Sequence, residues 1–197
     1  MLAPGAALAS IAPLVRALRA EGIELDGINL GGGLPAGYVD TAPELNAYAE
    51  AIMAAVGSYL GPRFHGRLLI EPGRFLVGDA GVLRSEVVLI SRKPTHPDRR
   101  WVYLDVGLFN GLTEALGEAI RYRLRVGAYA GEPEGPVVLA GPSCDSTDVL
   151  YESHPCRLPL ALQVGDVVDV LAAGAYTTAY SSVWFNGFEP PATYIVG

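Results

Sequence analysis

About eighty residues into this chain the hydrophobic rhythm changes, and that change limits what the chain can fold into. Before it, helical periodicity alternates with short apolar runs. Residues 11–21 read as an amphipathic helix, with Ser10 as its cap, Pro13 in its first turn and Leu14, Val15 and Leu18 as its apolar stripe. Gly22 accepts a left-handed stop. Ile28-Asn29-Leu30 reads as a short buried strand ending in Gly31-Gly32-Gly33. Thr41-Ala42-Pro43-Glu44 has the form of a capping box and predicts a helix to about Leu60, stopped by Gly61-Pro62. Leu68-Leu69-Ile70 is a second apolar strand, and it ends at Glu71. The order α, β, α, β is that of parallel βα units. After it come strand-like runs at 83–91, 101–105, 137–140 and 167–171, separated by Gly, Pro and Asp. They predict an antiparallel β-barrel or sandwich, with polar loops at 93–100 and 131–135. The expected class is α/β plus all-β, with domains at 1–82 and 83–197.

At 197 residues the chain can bury a core, as one large domain or two small ones. Half of it is apolar and 18% is charged, a globular composition. A net charge of −7 argues against a phosphate backbone or an anionic membrane as partner. It is compatible with a cationic amine substrate, and equally with solubility alone. The two cysteines, Cys144 and Cys156, form neither a disulfide framework nor a zinc ligand set. The apolar N-terminal stretch has no basic leader, and Arg16 and Arg19 interrupt any span. The default expectation is a cytoplasmic protein.

Chemistry concentrates in a few blocks. Glu71-Pro72-Gly73-Arg74 places a carboxylate and a guanidinium directly after a buried strand. Gly141-Pro142-Ser143-Cys144-Asp145-Ser146 sets a thiol and a carboxylate in a turn. Gly174-Ala175-Tyr176-Thr177 and Phe185-Asn186-Gly187-Phe188 follow near the C-terminus. Taken singly each has a plain reading: a solvated loop glutamate, a glycine turn, an inert buried cysteine, a packed tyrosine.

Taken together and in order with Gly31-Gly32-Gly33, the blocks resemble the fold-type III pyridoxal-phosphate decarboxylases, leaning to the ornithine decarboxylase branch. The likeness runs from about residue 10 to the end. It implies the last two βα units of a (β/α)8 barrel followed by most of a β-domain. A whole barrel takes about 250 residues, so roughly eighty cannot close one. The resemblance implies that Glu71 holds a proton on the cofactor's pyridine nitrogen. Arg74, the N–H groups of Gly31, Gly32 and Gly33, and the hydroxyl of Tyr176 would hold its phosphate. Cys144 would return a proton to Cα once carbon dioxide has left. Asp145 would bind the distal ammonium of a diamino acid, with Glu118 beside it and Glu114 as the other match in residues 114–122. In this family Cys144 and Asp145 act across a dimer interface, which implies a homodimer.

Substrate follows from the same likeness. Diaminopimelate decarboxylases carry an Arg-Pro-containing segment in the region of residues 105–122 and typically a glutamate after the cysteine. Cys144-Asp145 and the Phe185–Phe188 block instead point to ornithine giving putrescine, within polyamine biosynthesis. Lysine giving cadaverine differs by one methylene, typically worth only ~1–3 kcal/mol. The family also holds its cofactor on a lysine of the first barrel strand and stacks a histidine on the ring. The only lysine here, Lys93, follows no apolar strand end near these motifs, and His65 and His154 match no motif. Three readings remain open. The chain is the C-terminal fragment or split half of such an enzyme, working with a lysine-bearing partner. It is a non-catalytic dimerising regulator, or it is a degraded reading frame.

Overall fold

A computed structural model describes residues 4–40, 42–62 and 64–196. The chain divides into two compact units: Met1–Pro35 with Thr41–Phe75, and Ala36–Asp40 with Leu76–Gly197.

The first unit contains α1 (Pro4–Ala20), β1 (Gly27–Asn29), α2 (Leu45–Tyr59) and β2 (Arg67–Leu69). The strands pair in parallel, Gly27 with Arg67 through Asn29 with Leu69. Helix α1 starts at Pro4, well before the expected point, because the alanine-rich run ahead of Ser10 is strongly helix-forming. Ser10 is therefore not a cap; its hydroxyl donates to the carbonyl of Ala6 at 3.0 Å. Pro13 lies inside the helix. The buried stripe is Leu8, Ala12 and Val15, while Leu14 is exposed. At the other end the expectation holds. Gly22 has φ +80°, its N–H donates to Arg19 and that of Ile23 to Leu18, closing a Schellman stop. Helix α2 is entered through Glu44, which makes no side-chain cap bond; Thr41 lies outside the described residues. Leu8, Val15, Ile28, Ala55, Val56 and Leu60 form this unit's core.

The second unit is a seven-stranded sheet in the order β5-β9-β3-β4-β6-β7, with β8 paired to β6. The strands are β3 (Val82–Lys93), β4 (His96–Leu104), β5 (Leu124–Arg125), β6 (Glu134–Ala140), β7 (Val149–Leu150), β8 (Cys156–Pro159) and β9 (Val167–Leu171). Alternation along β3 buries Leu83, Ser85 and Val87 and exposes their neighbours, the period-two pattern of a half-covered sheet. Val87, Val102, Leu104, Val137, Leu139 and Val168 centre the core.

Three expectations are corrected. The sheet is mixed, because β4 and β6 run parallel, Arg100 with Val137 through Tyr103 with Ala140. The long connection 105–133 lets the chain return in the same direction. The loop expected at 93–100 is mostly strand: Lys93 pairs with His96, and only Pro94 and Thr95 turn. Polar residues there mark an exposed hairpin arm rather than a loop. The region that holds Glu114 and Glu118, for which the family resemblance implies a short helix, is a kinked 3-10 segment, Thr113–Glu118, broken where Gly117 and Glu118 turn left-handed.

Candidate functional site

In the first unit, the ends of β1 and β2 bring Gly31, Gly32, Gly33 and Glu71 together. The parallel ladder continues past the strands, with Leu30 N–H donating to Leu69 and Glu71 N–H to Gly31, at 2.9 and 2.8 Å. Gly31 and Gly33 have φ of +71° and +94°, and a Cβ at Gly32 would collide with the carbonyl of Glu71. Three glycines are thus required by backbone geometry alone. Asn29, the last residue of β1, ties the group together. Its Nδ2 donates to Glu71 Oε1 at 2.6 Å, and its Oδ1 accepts from Gly31 N–H at 2.9 Å. Sequence reasoning missed Asn29; the signal was a lone polar residue closing an apolar strand. The Gly31 N–H is spent on Asn29, and no hydrogen bond among the described residues uses the N–H of Gly32 or Gly33. A cleft of about 370 Å³ is lined by Asn29, the three glycines, Leu30 and Ile70. Arg74 lies in α3 (Gly73–Val77), half-buried.

In the second unit, Cys144 and Asp145 sit in the loop between β6 and β7. Cys144 is exposed and left-handed, φ +63°. The loop is built on Asp148, which is 2% exposed. Its carboxylate accepts from Leu108 N–H at 2.7 Å, Ser143 N–H at 3.1 Å and the Ser143 hydroxyl at 2.6 Å. Three donors compensate the burial of that charge. Asp145 Oδ1 accepts from Thr147 N–H at 2.8 Å, an Asx turn that fixes its side chain. Asn186 of the C-terminal block donates from Nδ2 to the Ser143 carbonyl at 2.7 Å. Sequence reasoning named neither Asp148 nor a contact for Asn186.

Glu118 accepts hydrogen bonds from Ser153 N–H at 2.7 Å and His154 N–H at 3.2 Å, and its Oε2 lies 2.6 Å from His154 Nδ1. Burial alone would raise its pKa, but the His154 side chain and these backbone donors outweigh it and hold the carboxyl below its ordinary value. A cleft of about 750 Å³ borders Glu118, Arg121, Ser146, Thr147 and His154. Tyr176 is exposed, with φ +55°. Lys93 lies at the end of β3, its Nζ 3.1 Å from the centroid of the Trp101 ring.

The C-terminal sheet domain of the pyridoxal-dependent decarboxylases matches residues 25–174. A diaminopimelate decarboxylase of Neisseria meningitidis serogroup A is 32% identical over 174 residues, 86% of this chain and 39% of that protein. The lysine/ornithine decarboxylase of Selenomonas ruminantium is 31% identical over 88% of this chain and 42% of that protein. Among solved structures, lysine/ornithine decarboxylase from Vibrio vulnificus with cadaverine superposes with a TM-score of 0.75 at 29% identity, covering 95% of this chain and 48% of that one. The chain thus spans about two fifths of the length of the relatives it matches. With the sheet domain matched over three quarters of its residues, this chain belongs to the pyridoxal-dependent decarboxylase family.

Proposed function

We propose that the chain is the C-terminal portion of a decarboxylase acting on a basic amino acid, L-ornithine to putrescine or L-lysine to cadaverine. The observation that carries this is the group at the ends of β1 and β2: a carboxylate fixed by Asn29 beside a cleft lined by Gly32 and Gly33, whose N–H groups no hydrogen bond among the described residues uses. That donor set suits pyridoxal phosphate, an anionic phosphate joined to a basic ring nitrogen. When bound, the cofactor supplies the electron sink for the bond that breaks.

In this reading Glu71 holds the proton on the ring nitrogen. Arg74 binds phosphate oxygens with a planar fork of donors, and Gly32, Gly33 and the Tyr176 hydroxyl add single hydrogen bonds. The bond from Cα to the substrate carboxyl breaks and carbon dioxide leaves. Cys144 would then give its thiol proton to Cα, where the electron pair left by the departing carboxyl closes the new C–H bond and the sulfur is left as thiolate. Asp145 holds the distal ammonium. Glu118, already engaged by His154, adds negative charge rather than a free oxygen pair. Assembly is as a homodimer or with a lysine-bearing barrel portion, since Lys93 is held against Trp101.

A second reading, diaminopimelate as substrate, is favoured by the relatives: several that match at 28–35% identity are diaminopimelate decarboxylases. Against it stand Cys144-Asp145 and the lack of an Arg-Pro pair in residues 105–122. The test is a tagged pull-down from source cells, with intact-mass analysis and amine assays of the complex. Expected is a stoichiometric lysine-bearing partner, bound cofactor, and putrescine from ornithine. Lysine released from diaminopimelate would transfer the proposal to the second reading. Recovery of the chain alone, without cofactor, would sink both and leave a regulator or a remnant.

A further inference from the structure

We infer that Asn186 is a positioning residue for Cys144, acting through the peptide bond that precedes the cysteine; its catalytic consequence rests on the proposed role of Cys144 as proton donor. Ser143 is held at three polar atoms. Its N–H and hydroxyl both donate to Asp148 Oδ2, and its carbonyl accepts from Asn186 Nδ2 at 2.7 Å. The first two bonds belong to the core. A Cβ at Gly107 or Gly141 would collide with the Asp148 carboxylate, so that group is fixed in place. The third bond comes from outside, from the 3-10 turn Phe185–Gly187.

That outside bond controls what the inner ones cannot. Cys144 has φ +63°, a conformation that non-glycine residues resist because Cβ crowds the backbone. The simplest relaxation is a flip of the Ser143–Cys144 peptide, which changes ψ of Ser143 and φ of Cys144 together. Such a flip leaves the Ser143 N–H and hydroxyl on Asp148 untouched. It swings the Ser143 carbonyl away from Asn186 and turns the Cys144 N–H to the opposite side. The bond from Asn186 is therefore the contact that opposes the flip. It sets which end of a peptide dipole lies beside the thiol, and so whether a proton held there meets a donor or a carbonyl. Phe185-Asn186-Gly187-Phe188 thereby holds the neighbouring loop in its left-handed form.

The experiment is solution NMR of the full chain, carrying Asn186→Ala and, as an isosteric variant without an amide donor, Asn186→Asp. The readout is the amide–Hα coupling and carbon shifts of Cys144, which separate positive from negative φ. Val183→Ala, at an exposed neighbour, serves as the control. In both Asn186 variants the flipped population should rise roughly fivefold, as the loss of one ordinary hydrogen bond dictates, with unfolding stability lowered by no more than that one bond contributes. Val183→Ala should leave Cys144 as it is. Wild-type couplings in both Asn186 variants would overturn the inference. So would the same shift in Val183→Ala, since packing of the segment would then be the cause. No cofactor or partner enters this test, so it can fail while the decarboxylase reading stands, or hold while that reading falls.

Discussion

Cys144 is exposed in a loop, whereas Cys156 opens β8 with its thiol 3.7 Å from the Val137 carbonyl. Burial pushes the Cys156 thiol up to about 12, so almost none of it is thiolate at neutral pH. A neutral alkylating reagent at pH 8 should therefore label Cys144 at least about a hundredfold faster than Cys156. Peptide mapping by mass spectrometry checks it, and comparable rates would show that β8 opens readily. At this scale sequence and structure meet unevenly. Glu71 and the three glycines stand out by residue type and by their place after apolar strands. Asn29 and Asp148 do not, because each acts on residues far along the chain, 42 positions away for Asn29 and Glu71 and 40 for Asp148 and Leu108.

At the scale of elements, Arg100 shows why polarity misleads. It sits in a run that reads as a polar loop, yet it is buried in β4. Its guanidinium donates to the carbonyls of Leu158, Pro159 and Leu160 at 3.1, 2.8 and 3.3 Å. Burial, and then the nearby Arg92, pull its pKa below the ordinary arginine value. One side chain thus satisfies three carbonyls at the end of β8, a strand off the main path of the sheet. Arg100→Met keeps the apolar stem and removes the donors. It should cost about 2–4 kcal/mol in urea unfolding, with an earlier loss of protection in β8 than in β3. A cost within error of zero would show that water replaces the guanidinium. Helices α1 and α2 and most of β3 are legible from periodicity, whereas the first half of β4 is not. The parallel pairing of β4 with β6 is not, since nothing local in either strand distinguishes a neighbour reached by a hairpin from one reached through a long connection.

For the whole molecule, the rhythm of the sequence changes at about residue 80, while the compact units divide at Phe75 and Leu76 and the second also takes in Ala36–Asp40. The second unit also concentrates an electrostatic tie across three strands. Asp169 on β9 accepts from Arg84 of β3 at 2.9 Å and from Arg125 of β5 at 2.9 Å. The Arg84 hydrogen bond, helped by Arg125 and opposed by burial, holds the Asp169 carboxyl below its ordinary value. A depressed carboxyl contributes stability that is fully present above its unfolded pKa, about 3.9, and is lost as pH falls through the folded value. The melting temperature should thus decline below pH ~4. Asp169→Asn should melt lower at pH 7 and converge on the native chain in acid. Parallel curves at every pH would remove Asp169 from the acid response. Among the described residues no helix is long and apolar enough to cross a membrane. The stacking of Lys93 on Trp101 has a photophysical consequence. The sequence holds one side-chain amine and two indoles, Trp101 buried and Trp184 exposed. An aromatic aldehyde whose imine absorbs in the range of indole emission would, on reacting with that amine, be brought close to the buried indole and should quench Trp101 more than Trp184. Adventitious capture thus carries its own spectral mark.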